Sequence, residues 1–240
     1  MNEPLERIRM ALAESMSALL IPPEHIAAVV AIMRALSGGD ALSMSTVAGL
    51  IDGSDLDAEA LVQMLAQMGM LERDAGGDVI GMVISLQPTS HRLVVEGRTL
   101  YTWCAIDTLF VPAILSTTAH VESICPDSGR TMRLVVGPSG VLHMDPPDMR
   151  VSLVAPGITK GVDASCCGVA GLTGVQGGFC GNVHFFASDE AAASWLATHQ
   201  GAVVVSVEEA FDLTRAIWTD PLLGRSGRLA GPADDLSPSS

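Results

Sequence analysis

Lysine is almost absent from this 240-residue chain, and basic residues in general are few. Lys160 is the only lysine, and 13 basic residues stand against 27 acidic ones, for a formal net charge of −14. Non-specific binding to nucleic acids and to anionic membrane surfaces depends on Lys and Arg. The charge balance therefore argues against a protein that binds polyanions.

Aromatic residues and long apolar runs are also scarce. Aromatics make up 4% of the chain and hydrophobic residues 48%, so a core must be built mainly from Ala, Val, Leu, Ile and Met. No run of about eighteen apolar residues occurs, which argues against a transmembrane span. The N-terminus shows no basic region followed by an apolar stretch, so we expect no signal peptide. Five cysteines, an odd number, then suggest reduced thiols in a cytoplasmic protein.

Residues 1–87 have helical periodicity and close with a hairpin, and we predict that they form one domain. A turn at residues 74–78 lies between two short strand-like runs. Helices that end in such a ribbon are typical of a winged helix, so the predicted domain is helical and winged-helix-like. Its helices are expected to start near Leu5, at Pro22, at Ser45 and after Asp55 or Asp57.

A winged helix suggests DNA binding, but the charges oppose that function. No Lys or Arg occurs between Ala35 and Glu72, where a recognition helix would lie. A helix without cations is poorly suited to holding phosphates. We therefore favour a packing or substrate-covering role for these helices.

Residues 88–220 are predicted to form a second, catalytic α+β domain. Its pattern indicates a mixed, mainly antiparallel sheet flanked by helices, and residues 221–240 are expected to be a disordered tail. A Gly-rich stretch at residues 161–178 is predicted to be a loop. The predicted strands cover residues 91–95, 120–124, 132–136, 151–154, 183–187 and 203–207, and the predicted helices cover 100–115, 188–199 and 208–218.

Cys104 and Asp107 stand three residues apart in LYTWCAIDTLFVPA, residues 100–113. On a helix that spacing places both side chains on one face. A thiol with a pKa of about 8.5 is only a few per cent ionised at neutral pH, so a nearby carboxylate helps by accepting its proton. Spacing alone nevertheless favours the alternative, in which Cys104 is a small core residue and Asp107 a solvated one.

Cys180 opens the stretch CGNVHFFAS, residues 180–188, after the Gly-rich segment. Glycine lets backbone approach a ligand closely, which suits a binding site. Taken alone, Cys180 is more often an ordinary buried cysteine, and His184 a hydrogen-bonded core histidine.

These two stretches, LYTWCAIDTL (100–109) and FCGNVHFFAS (179–188), resemble the active-site segments of organomercurial lyases. VIG (79–81), ICPDSG (124–129), HQG (199–201) and VSVEEAF (205–211) are similar to that family in the same order. The resemblance covers roughly residues 20–215. It implies that Cys104, Asp107 and Cys180 are catalytic, with both cysteines binding Hg(II), and that Cys125 is structural.

One departure from the family pattern concerns the cysteines. Many relatives carry a second cysteine directly after the catalytic one, whereas Gly181 follows Cys180 here and a Cys166–Cys167 pair occurs upstream. An alternative alignment would place the catalytic thiol at Cys166 or Cys167. We prefer Cys180, because the residues that follow it agree with the family. The pair would then pass mercury on or be surface thiols.

The resemblance implies protonolysis of the carbon–mercury bond of alkyl or aryl mercurials, which yields a hydrocarbon and Hg(II). The resemblance also implies that small thiols assist the reaction and that a mercuric reductase can receive the Hg(II). No resident cofactor is expected, zinc included, because no CxxC pair accompanies Cys125. The alternative functions are thiol-based sequestration of mercury or copper, which would not need Asp107, and a winged-helix metal-sensing regulator.

Overall fold

The computed structural model describes residues 3–18, 23–155 and 178–225, and it shows a mixed α+β protein. The helices are α1 (Glu3–Ala18), α2 (Pro23–Leu36), α3 (Met44–Leu50), α4 (Ala58–Gln67), α5 (Ala105–Leu115), α6 (Asp189–Thr198), α7 (Val207–Thr214) and α8 (Asp220–Leu222). The strands are β1 (Glu72–Arg73), β2 (Val79–Met82), β3 (Ile84–Ser85), β4 (His91–Val95), β5 (Arg98–Thr102), β6 (Ala119–Ile124), β7 (Thr131–Gly137), β8 (Gly140–Asp145), β9 (Arg150–Leu153), β10 (Phe185–Phe186) and β11 (Val203–Ser206).

The helices α3 and α4 begin where short polar side chains satisfy free backbone N–H groups. The Asp57 carboxylate accepts from the Ala60 N–H at 2.7 Å and caps α4, as one of the two predicted caps. The third helix differs from its prediction, because Ser43 rather than Ser45 caps α3. None of the helices among the described residues is both long and apolar enough to cross a membrane.

A continuous eight-stranded sheet forms the centre of the molecule. Its strands follow the order β1-β2-β3-β5-β4-β6-β7-β8, and every neighbouring pair is antiparallel. The short strand β3 pairs with β5, so hydrogen bonds of one sheet join residues on both sides of residue 87. The helix α5 packs against this sheet.

A second, three-stranded sheet of order β10-β9-β11 carries the segment that follows Cys180. Phe185 pairs with Val151, and Val205 pairs with Val151 from the other side. The helix α6 begins at its predicted cap, Ser188, whose hydroxyl accepts from the Ala191 N–H at 3.3 Å. This sheet fixes where the Cys180 segment can lie relative to the core.

The helix predicted over residues 100–115 begins five residues later than expected. Residues 98–102 form strand β5 instead, and burial alternates over residues 100–102, as a strand requires. Leu100 and Thr102 are buried in the sheet, so tertiary pairing decides the conformation of this stretch. The helix α5 itself is buried on all sides, from Ala105 to Ile114. Because its sequence is mostly apolar, hydrophobic periodicity cannot distinguish such a helix from a buried strand.

Two further elements differ from the sequence-based expectations. Strand β8 is absent from the predictions, because none of its residues is buried and they lack a clear alternation. The helix predicted over residues 208–218 is observed as α7 followed by a π-helix, Arg215–Thr219. Most of the predicted loop at 161–178, together with Cys166 and Cys167, lies outside the described residues, as do residues 226–240 of the predicted tail.

Candidate active site

Cys104, Asp107 and Cys180 meet in the interior of the protein. One ligand atom from each, the two sulfurs and a carboxylate oxygen, all lie within 4.8 Å of one another. The exposed fractions are 0%, 6% and 5% respectively. Within the described ranges, no other group of three or more His, Cys, Asp and Glu side chains is close enough to hold a metal ion. The structure therefore brings the three residues singled out in the sequence into one buried cluster.

Cys104 is the N-cap of α5, not a residue within the helix. Its backbone is extended, with φ −148° and ψ 175°, and the chain turns into the helix directly after it. Asp107 accepts a hydrogen bond from the Cys104 N–H at 2.9 Å, while the Asp107 N–H faces the Cys104 sulfur. This reciprocal arrangement is a capping box, and it holds the thiol and the carboxylate side by side.

Cys180 is brought to the same place by contacts of the short 3₁₀ turn that it opens, Cys180–Asn182. The Ala105 N–H donates to the Val183 carbonyl at 3.2 Å, which ties the start of α5 to the end of this turn. From the other side, the Ser152 hydroxyl donates to the Asn182 carbonyl at 3.0 Å. Sequence reasoning missed Ser152 and Asn182, since no local spacing marks a contact between residues 30 positions apart.

The Asp107 carboxyl is poised to exchange a proton near neutral pH. Burial raises its pKa from an ordinary value of 3.8 to about 7, because the apolar surroundings disfavour the charge. Hydrogen bonds from the Cys104 backbone and thiol and from the Trp103 backbone limit that rise. A group with a pKa near the working pH both accepts and donates a proton readily.

The two thiols are held in the neutral form. Burial raises the Cys104 pKa well above its ordinary value, and the hydrogen bond with Cys180 and the charge of Asp107 raise it further. The hydrogen bond from Cys104 lowers the Cys180 pKa, but burial and the charge of Asp107 outweigh it, so that pKa is raised too. At neutral pH the site therefore stores two thiol protons beside a carboxyl that can accept them.

The burial of Asp107 has a measurable consequence for folding. Because its pKa is higher in the folded protein than in the unfolded chain, its stabilising contribution is complete below about pH 4 and is lost as the pH rises through 7. An asparagine side chain at this position would stay neutral throughout. We therefore expect Asp107→Asn to gain stability over the wild type between pH 5 and pH 8, by at most about 4 kcal/mol at about 1.4 kcal/mol per pKa unit.

Chemical denaturation of the two proteins at several pH values measures this difference. Asp212→Asn is the matched control, because it makes the same chemical change at an exposed position on α7. If the free energies of unfolding of Asp107→Asn and the wild type changed with pH in parallel, burial of the Asp107 carboxylate would not destabilise the folded protein.

Cys125 and His184 lie outside the cluster. Burial raises the Cys125 pKa, but hydrogen bonds from Ser128, Ala187 and Asp127 outweigh it, so this pKa is lowered overall. His184 makes edge contacts with the rings of Phe186 and Trp195, and burial lowers its pKa. These settings are those of a buried thiol at a turn and of a histidine packed among aromatic rings.

Comparisons with known proteins assign the chain to one group of relatives. A family model described as alkylmercury lyase matches residues 84–219. An alkylmercury lyase from Staphylococcus epidermidis is 35% identical over 77% of this chain and 78% of its own. One from Pseudomonas putida is 35% identical over 86% of this chain and 90% of its own.

A solved structure supports the same fold. The mercury-bound form of MerB2 superposes with a TM-score of 0.70 and covers 89% of this chain and 99% of its own. Because the two sequences are 23% identical, this likeness is evidence for the fold alone.

Proposed function

The chain belongs to the alkylmercury lyase family, and we propose that its carbon–mercury lyase activity is carried by Cys104, Asp107 and Cys180. The observation that supports these roles is the buried cluster in which both sulfurs and a carboxylate oxygen lie within 4.8 Å of one another. The substrate is an organomercurial, R–Hg–SR′, carried in on a small thiol.

The first step is an exchange of thiols on mercury. Mercury is a soft metal, and thiolates outcompete oxygen and nitrogen ligands for it. One cysteine displaces the carrier thiolate, which leaves as R′SH with the proton of that cysteine. The organomercurial is then bound as Cys–S–Hg–R inside the protein.

The second thiol needs a proton acceptor, and Asp107 is placed to be one. Coordination to a metal deprotonates a thiol that would otherwise keep its proton. The carboxylate, with its pKa near 7, takes that proton, and the second thiolate binds mercury. Two thiolates on one mercury push electron density onto the carbon.

Asp107 then returns the proton to carbon. The electron pair of the carbon–mercury bond becomes the new carbon–hydrogen bond, and R–H leaves. Hg(II) remains on Cys104 and Cys180 until two small thiols exchange with it and restore both cysteines to their protonated form. A mercuric reductase is the proposed recipient of the released Hg(II), and no resident cofactor takes part in this scheme.

In this proposal the N-terminal helices pack on the catalytic part of the protein and help to cover the substrate. The helix α2 packs against α5, and the Arg34 guanidinium donates to the Ile114 carbonyl near the end of that helix at 3.0 Å. We propose that residues 1–87 form a winged-helix-like domain and residues 88–220 the catalytic domain. The need for reduced thiols supports a cytoplasmic location.

Detection of the hydrocarbon tests the function directly. With a small thiol in excess, the protein should release methane from methylmercury or benzene from phenylmercury, and headspace gas chromatography measures either product. A protein that bound the organomercurial tightly and released neither gas would be a sequestration protein. The comparisons do not favour that alternative.

A further inference from the structure

Three aromatic side chains gather beside the candidate active site, in a chain that contains few of them. Phe179 immediately precedes Cys180, and Phe110 lies one helical turn beyond Asp107 on α5. The Trp218 ring is 6.1 Å from the Phe179 ring and 6.5 Å from the Phe110 ring, centroid to centroid. Trp218 therefore bridges the two helical segments that supply the reacting groups.

The position of Trp218 depends on the π-helix, Arg215–Thr219. A π turn holds one residue more than an α turn, and each residue rotates the helix by about 100°. Without that extra residue, Trp218 would point to another side of the helix. Such π turns are rare and often occur at functional sites.

The three rings differ in how completely they are covered. Phe110 is 3% exposed and Phe179 is 8% exposed, whereas Trp218 is only partly buried. The Trp218 and Phe110 planes are nearly parallel, at 14°, and the Trp218 and Phe179 planes are inclined by 40°. Part of the Trp218 side chain is therefore accessible beside the rings of Phe110 and Phe179.

We propose that Trp218 is a specificity-determining residue that favours aryl over alkyl mercurials. This inference rests on the proposed function, since it concerns the organic group of the same substrate. Mercury bound to one sulfur and one carbon is close to linear, so the organic group extends away from the cysteine that holds it. A flat aryl group that reaches this cluster stacks on Trp218, whereas a methyl group offers no ring to stack.

Replacing the indole by an aliphatic group tests the proposal. In Trp218→Leu, kcat/KM for phenylmercury should fall about tenfold relative to kcat/KM for methylmercury, a differential of ~1.4 kcal/mol. Trp218→Phe keeps a ring in place and should restore most of the ratio. Benzene and methane release, measured on each variant with both substrates, gives the ratio.

Trp195→Leu is the matched control. Trp195 is also partly buried, but it packs against His184, Phe186 and His199 and not against Phe110 or Phe179. Its replacement should leave the phenyl-to-methyl ratio unchanged. An equal fall for both substrates in Trp218→Leu would overturn the proposal and make Trp218 a structural residue. If the wild type released neither hydrocarbon, the proposed function itself would fail.

Discussion

Replacing Asp107 by Asn should abolish most turnover and leave mercury binding intact. Asn has nearly the same shape and can still accept the hydrogen bond from the Cys104 N–H. It cannot accept a thiol proton and deliver it to carbon. Proton transfer by a placed side chain is worth roughly 10²–10⁴-fold in rate, so kcat should fall by that factor.

Two measurements separate binding from chemistry in this variant. Mercury retained after gel filtration reports the thiols, and hydrocarbon release in a single turnover reports the proton transfer. Asp212→Asn makes the same chemical change on the exposed face of α7 and should turn over normally. If Asp107→Asn protonated methylmercury at the wild-type rate, some other group would be the proton carrier.

The pairing of Cys104 with Asp107 could be predicted from sequence, but the structure shows a different cause. Helical spacing predicts two neighbouring side chains within α5, whereas Cys104 lies just before the helix and the capping box joins it to Asp107. Both geometries bring positions i and i+3 together, so the prediction of proximity holds. The start of the helix could not be predicted, because pairing of β5 with β3 and β4 overrides the local preference.

The burial of Asp107 could not be read from its neighbours in the sequence. Spacing alone favours a solvated aspartate, but α5 is enclosed on all sides and takes the carboxyl with it. That enclosure raises the Asp107 pKa to about 7, which suits the role of proton carrier that we propose for it. The chemistry of the site therefore depends on packing, which residue types do not specify.

The meeting of Cys180 with Cys104 depends on long-range contacts. The hydrogen bond from Ala105 to Val183 joins segments that are far apart in the chain, and no periodicity encodes it. Only the resemblance to a family singled out Cys180 over an ordinary buried cysteine. The helical N-terminal region and most strands, by contrast, follow from caps, turns and alternation within each segment.

Replacing either Cys104 or Cys180 by Ser should reduce turnover by roughly 10³-fold or more. A serine hydroxyl is a hard ligand and binds mercury poorly, so either change leaves the metal on one thiolate. Serine is a preferred N-cap residue, so Cys104→Ser should preserve the start of α5. Thermal melting checks the fold, and hydrocarbon release measures the loss. Cys125→Ser is the control and should retain turnover, because Cys125 lies outside the cluster.

The double variant Cys104→Ser/Cys180→Ser distinguishes two thiols that act together on one mercury from two thiols that bind mercury independently. If both sulfurs act on one mercury, removal of the first already prevents the dithiolate, and removal of the second should cost little more turnover. Independent mercury-binding thiols would instead give losses that multiply. Rates for the two single variants and the double variant, measured with one substrate at one pH, complete the cycle. Single variants that kept turnover within about tenfold of the wild type would contradict the two-thiolate scheme, because one sulfur would then suffice to labilise the carbon–mercury bond.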